Sequence, residues 1–282
     1  MLRVLTVSIA LVLSGGTGAG NPPTKPPHLL PADAPAIVQP SPEYDSEAEA
    51  ELLQWANAAR AQMGLAPFQS DAGLVNAARA HAEMMADNQQ LSHQFPAEPA
   101  LLLRIAGSTS LHLDSAGENV AYAGAPDRVQ DLFMHSSAHR ANLLSPGFNL
   151  AGIGVIRSGD TLYVTEDFGH SLPVYSQDQA GELISAAVLR GRSQYNMPEL
   201  SRHDSADLQQ TACSMAQANA LTGPPSNARA VLRYTAARPD NLPAAATQVF
   251  RDRSLHSFSV GSCYARSPSY VNGAYWVVLY FY

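Results

Sequence analysis

In the segment HSSAHRANLL (135–144), His135 and His139 stand four residues apart, a spacing that puts two imidazoles on one face wherever the chain is helical. The same spacing grips zinc in H-E-x-x-H metalloproteases, where a glutamate after the first histidine is the general base. Here Ser136 takes the glutamate's place, and such a site also needs a third protein ligand from elsewhere. The metalloprotease reading therefore fails on chemistry. Ser136 lies three residues before His139, so a serine–histidine dyad on one turn is conceivable, although no third group that would orient the histidine is visible. His112, His170, His203 and His256 fall in no pattern.

The elements that must carry these residues can be read from spacing. Ser46 with Glu49 forms a capping-box signature, followed by Leu52, Trp55, Ala56, Ala59 and Met63 at helical intervals and by Gly64 as a stop. A second helix begins near Ser70 or Asp71 and aligns Leu74, Ala78, His81, Ala82 and Met85, which makes His81 a packed histidine rather than a ligand. A third, short helix after Pro126 places Val129, Leu132, Phe133 and Ser136 on one face. The period then changes, and AGIGVIR (151–157), SGD and TLYVTEDF (161–168) read as a β-hairpin. Helices first and strands late indicate an α+β sandwich. Residues 176–282 form a second unit, with helices through QAGELISAAVLRGRSQ and ADLQQTACSMAQANAL and a closing strand AYWVVLYFY.

Composition narrows the function. Of 282 residues, 46% are hydrophobic and 15% charged, enough for a sizeable core, and the formal net charge of −7 argues against a nucleic-acid or anionic-membrane binder. MLRVLTVSIALVLSGGTGAG has one early positive charge, an apolar run from Val4 to Leu13 and then small residues, the layout of a signal peptide over 1–20. The run is shorter than the roughly 20 residues a spanning helix needs, and no later stretch qualifies as a transmembrane segment. The mature protein is expected to be soluble and either secreted or periplasmic. Residues 21–44 carry a proline every few positions and read as an extended linker. Two cysteines, Cys213 and Cys263, suggest one disulfide in an oxidising compartment; two separate buried thiols are the alternative.

More specific is the ordered series LLQWANAARAQMGLAPFQSDAGLVNAARAHAEMMADNQQLSH, GENVAYA and LFMHSSAHRANLLSPGFNLAGIGVIRSGDTLYVTEDFG. It resembles the CAP superfamily of cysteine-rich secretory proteins, antigen 5 and pathogenesis-related proteins, in particular its bacterial branch. The resemblance covers residues 45–172 and implies an α-β-α sandwich. It also implies a cleft formed by His93 of LSH, Glu118 of GEN, and His139 of AHR, with Ser136 where many eukaryotic members have a glutamate. His135 is then a bystander. His93 and His139 could bind a divalent metal such as zinc, weakly, with Glu118 fixing a histidine tautomer or holding the metal-bound water. Glu166 stands where the family more often has glutamine, so it is either an extra cleft carboxylate or a solvated strand residue. A purely structural polar network is the competing reading of the whole set.

The second unit parallels the first. RSQYNMPELSRHDSADLQQTACSMA matches RAQMGLAPFQSDAGLVNAARAHA with Leu208, Ala212 and Ala216 against Leu74, Ala78 and Ala82, and Phe281 matches Phe168. No GEN and no matching HR survive, so residues 176–282 read as a degenerate CAP-like domain with Cys213 on a helix and Cys263 on a strand. Three function classes follow. The first is a binding module for a small apolar ligand, a lipid or an envelope component. The others are a metal-assisted hydrolase using Glu118, and a protein-binding adaptor with a vestigial cleft. Fold alone does not choose among them.

Overall fold

Helix α1 (Ser46–Gln62) opens the first half, and its cap is Asp45, whose side chain accepts from the Ala48 amide. The sequence pattern put the cap one residue later, on Ser46 with Glu49. Glu49 instead turns inward, where its carboxylate takes both Nε and Nη2 of Arg79 at 2.8 and 2.6 Å and the Val155 amide at 3.2 Å. The computed structural model describes residues 43–282, so the signal-peptide reading and all but the last two linker residues lie outside the described residues.

Helix α2 (Ala72–Asn88), capped by Asp71, buries Leu74, Ala78, His81, Ala82 and Met85 as the spacing predicts. The chain continues through α3 (Leu101–Ser108), β3 (His112–Ala123), α4 (Pro126–His135), α5 (Ser137–Leu143), β4 (Leu150–Ser158) and β5 (Thr161–Leu172). The sheet runs β1 (Glu43–Tyr44), β4, β5, β3, with β2 (Gln69–Ser70) added parallel to β4. One face packs on α2 and α3 through Leu74, Met85, Ile105, Val120 and Ile156. The other packs on α1, α4 and α5 through Leu52, Phe133, Leu143, Val155, Val164 and Phe168. This is the expected α-β-α sandwich. Leu132, assigned to the packed face of the third helix, is instead 52% exposed, because α4 turns Val129 and Phe133, with Met134 beside them, to the core.

The glycines of AGIGVIR explain how close α2 lies. A Cβ at Gly152 would come within 2.1 Å of the Leu74 backbone, and one at Gly154 within 2.2 Å of the Arg79 nitrogen. Any side chain there would push helix and sheet apart.

The second half consists of α6 (Gln177–Ser193), β6 (Ser201–Arg202), α7 (Ala206–Gln217), β7 (Ala230–Ala236), α8 (Ala246–Phe250), β8 (Ser257–Ser267) and β9 (Tyr270–Phe281). Its sheet order, β6-β8-β9-β7, repeats the pairing of the first: β6 is parallel to β8 as β2 is to β4, and both long neighbours are antiparallel. Detail repeats as well. Arg60 closes α1 by donating Nε to the Ala66 carbonyl and Nη1 to the Leu143 and Ser145 carbonyls. Arg192 closes α6 by donating Nε to the Pro198 carbonyl and Nη1 to those of Val249 and Asp252. Ser205 caps α7 through the Leu208 amide as Asp71 caps α2 through Leu74. Leu208, Ala212 and Ala216 are buried like their expected counterparts.

Cys213 on α7 and Cys263 on β8 form the disulfide, with Cα atoms 5.0 Å apart and a sequence separation of 50. The bond ties helix to sheet within the second half. Replacing both cysteines by alanine is expected to lower stability by about 2–4 kcal/mol, measured as a drop in the urea midpoint that reductant reproduces in the parent protein.

Candidate functional site

The strand carrying GEN is the edge strand β3, and its alternation sends Glu118 toward α2 and α3 and Asn119 toward α5. Glu118 is 3% exposed at its side chain. Its Oε2 pairs with the Arg104 guanidinium of α3, and its Oε1 meets His93 Nδ1 at 2.8 Å. Arg104 also pairs with Glu98 at 3.1 Å, and Glu98 in turn meets His81 Nδ1 at 2.9 Å. The other His81 nitrogen is 2.8 Å from the Ser92 carbonyl, so the buried ring ties the 89–100 segment to α2 at two points. Directly across the sheet from Glu118 stands Asp167, fully buried. Burial, and then the charge of Glu118, holds the Asp167 carboxyl well above the usual carboxylate range. Three carboxyl groups thus gather around one guanidinium, and the product is a fixed position for His93, which itself remains 59% exposed.

His139 approaches from the opposite face. HSSAH is not one helix: Ser136 is extended (φ −84°, ψ 121°), closing α4 through its own amide and starting α5. Its hydroxyl accepts from the His139 amide at 3.4 Å, so Ser136 is placed as a helix cap. The break separates the two histidines whose spacing suggested a shared face. His135 sits exposed with Nδ1 against the Asp131 carbonyl, while the His139 ring packs edge-on against Phe133, with centroids 5.1 Å apart. Burial lowers the His139 pKa, and the charge of His93 lowers it further, which places both rings in one electrostatic neighbourhood. His139 Nδ1 is buried with no partner among the described residues.

Asn119 locks α5 to the sheet. Its amide donates to the His139 carbonyl and to Glu166 Oε2, both at 3.2 Å, and its oxygen accepts from Asn142, which also donates to the Glu118 carbonyl. Glu166 is fully buried, which removes the solvated-strand alternative. Burial pushes its pKa up to about 8, and the Asn119 hydrogen bond only partly offsets this. Among the described residues, no three or more histidine, cysteine or acidic side chains are arranged to enclose a metal ion. A cation here would be held by His93 and His139 with solvent completing its coordination.

Glu98, Arg104 and Asp167 were missed by sequence reasoning. Their only local signals are a lone arginine inside the apolar run LLLRIAG and adjacent acids in the strand VTEDFG.

The first half is an α-β-α sandwich whose edge strand carries Glu118 bonded to His93, with His139 on the helix packed over the neighbouring residue Asn119. Residues 53–168 match the family model described as "CAP: Cysteine-rich secretory protein family". The uncharacterized protein YkwD of Bacillus subtilis is 34% identical over 122 residues, 42% of this chain and 46% of YkwD; the chain thus spans about half the length of that relative. Among solved structures, an extracellular protein containing a SCP domain from Bacillus anthracis is 26% identical over 45% of this chain and 41% of its own, with TM-score 0.40. An outer surface protein from Borrelia burgdorferi is 17% identical, with 47% of this chain and 98% of its own covered and TM-score 0.43.

Glu166 yields a prediction with a definite sign. Its folded pKa lies above the ordinary 4.5, so the folded chain retains a proton that the unfolded chain releases. Its contribution to stability is then greatest below 4.5 and falls as pH rises from there toward about 8. The slope is at most roughly 1.4 kcal/mol per pH unit. Glu166→Gln should abolish this slope, so that its advantage over the parent grows from acid to mildly alkaline pH in thermal unfolding. An equal difference at all pH values would contradict the burial argument.

Proposed function

We propose that this chain is an exported CAP-domain binding protein, secreted or periplasmic, whose cleft captures a small ligand with help from a weakly held divalent cation. The observation that carries the reading is the His93–Glu118 bond. A carboxylate that holds Nδ1 leaves Nε2 of the same ring for a ligand, the arrangement that orients histidines in metal sites. His139, kept neutral by its surroundings, supplies a second imidazole. Zinc held there would polarise an oxygen atom of a bound molecule. The same geometry weighs against the hydrolase reading, since both Glu118 oxygens are already engaged by His93 and Arg104. Ser136, occupied as a cap, offers no base-activated nucleophile.

Apart from the His93–Glu118 cleft, an apolar ligand is offered a second, open place on the same half of the chain. Between α1 and α4 lies a hollow of about 380 Å³ lined by Trp55, Ala58, Ala59, Gln62, Asp127 and Gln130. Its volume is within the range of small-molecule sites. The export reading draws its support from the signal-peptide layout of residues 1–20. No described helix is long and apolar enough to cross a membrane.

Zinc titration by calorimetry tests the cation. Wild type should bind at about pH 7.5 and more weakly at about pH 5.5, because imidazoles protonate near 6.5. His93→Ala and His139→Ala should each abolish binding. No binding by wild type, or unchanged binding in both variants, refutes the reading. For the ligand, mass spectrometry of natively purified protein should recover a small apolar molecule that is lost when Ala59→Trp fills the hollow. Recovery undiminished in that variant would move the ligand elsewhere.

A further inference from the structure

Residues 43–282 belong to one compact unit, and the seam between its halves converges on the corner between α3 and β3. Arg266, on β8, donates Nη1 to the Ala106 carbonyl at 2.8 Å and Nη2 to the Thr109 and Leu111 carbonyls at 2.7 and 3.1 Å. Ala106 lies in the last turn of α3, Thr109 is its C-cap, and Leu111 leads into β3. A single guanidinium thus takes up carbonyls of the kind a helix leaves unpaired at its C-terminus, and does so with the charge that the helix dipole favours there. α3 needs such help: it has eight residues and no side-chain cap at its N-terminus.

Beside this clamp His112, the first residue of β3, is 1% exposed and lies 4.9 Å from the Tyr264 ring and 6.2 Å from the Tyr275 ring. Neither of its ring nitrogens has a partner among the described residues, so the imidazole serves as a flat plate wedged against the second half. Tyr275 is itself anchored, its hydroxyl accepting from the Tyr175 amide at 2.6 Å.

The two elements held at this corner are the ones that carry the site's ion pair. Arg104 shares the short helix α3 with Ala106, and Glu118 follows His112 along β3. We propose that the second half buttresses the site of the first: Arg266, with His112 wedged against Tyr264 and Tyr275, fixes the α3–β3 corner and so sets Arg104 against Glu118 and Glu118 against His93. Arg266 is a positioning residue that touches no ligand. The functional consequence rests on the reading of His93 as a ligand-bearing residue, whereas the positioning can be measured without any ligand.

The test uses the full chain with Arg266→Ala, and with Arg266→Lys, which keeps the charge but cannot span three carbonyls. In metal-free protein the ¹⁵N resonance of His93 Nδ1 reports its bond to Glu118, and hydrogen exchange reports opening over residues 101–120. Both variants should exchange α3 amides faster, by about tenfold for alanine, as expected for losing a cluster of partly exposed hydrogen bonds. Both should shift the His93 resonance toward its position in a Glu118→Gln control. Trp276 fluorescence, from the core of the second half, should not change. A variant that unfolds at lower denaturant while His93 keeps its wild-type resonance overturns the proposal, because Arg266 would then be a stabilising contact only. Zinc affinity should fall with the His93 shift. A wild type that takes no zinc, with the shift still present in the variants, would sink the metal reading and leave the buttress supported.

Discussion

Arg104 is shared by two buried carboxylates, and much of the first half is arranged so that neither is left unpaired. Removing one partner from a buried ion pair costs about 3–5 kcal/mol, far more than the pair contributes over an apolar replacement. The constraint reaches through the chain. It draws Glu98 inward and with it the irregular 89–100 segment, which His81 secures to α2. It requires α3 to stand over β3, and it leaves Asp167 beside Glu118 with its carboxyl pushed toward the neutral form. His93 is exposed yet held, because Glu118 beneath it is engaged through both oxygens.

The second half shows that the fold does not require this arrangement. With Phe281 matched to Phe168, strand pairing places Val231 at the position of Glu118 and Tyr280 at that of Asp167. Leu232 and Leu279 then replace Asn119 and Glu166. On the helix, Met215 falls where His81 lies, given Leu208 against Leu74. Arg60 and Arg192, by contrast, recur with the same kind of carbonyl partners. Devices that build the sandwich are kept in both halves, and the charged set is present in one. The charged set is therefore no requirement of the topology, which an apolar set fills in the second half.

What was legible in the sequence was what local periodicity and short motifs encode. The stripe of α2, the β4–β5 hairpin, α6, α7 and β9 follow from spacing, and the observed His93–Glu118 bond joins two residues that motif order singled out. Misreadings arose where one residue outranked the pattern. Asp45 displaced Ser46 as cap because Glu49, the other member of the presumed box, was drawn to Arg79 across the sandwich. Ser136 ended a helix that the His135–His139 spacing assumed to be continuous, since its hydroxyl could cap the next one. Glu98, Arg104 and Asp167 gave little local signal, because a buried ion pair is a relation between distant segments. His112 fell in no pattern for a similar reason: its surroundings come from β8 and β9.

The disulfide has a consequence for how the two halves would fail. The first half is held at its polar centre by buried ion pairs, and the second carries at its helix–sheet contact a covalent bond between sulfurs. Reductant therefore strikes the second half first, by parting Cys213 from Cys263 and freeing α7 from β8. Because Arg266 of β8 and the His112–Tyr264 contact join the halves, that loosening reaches the first half through a single corner.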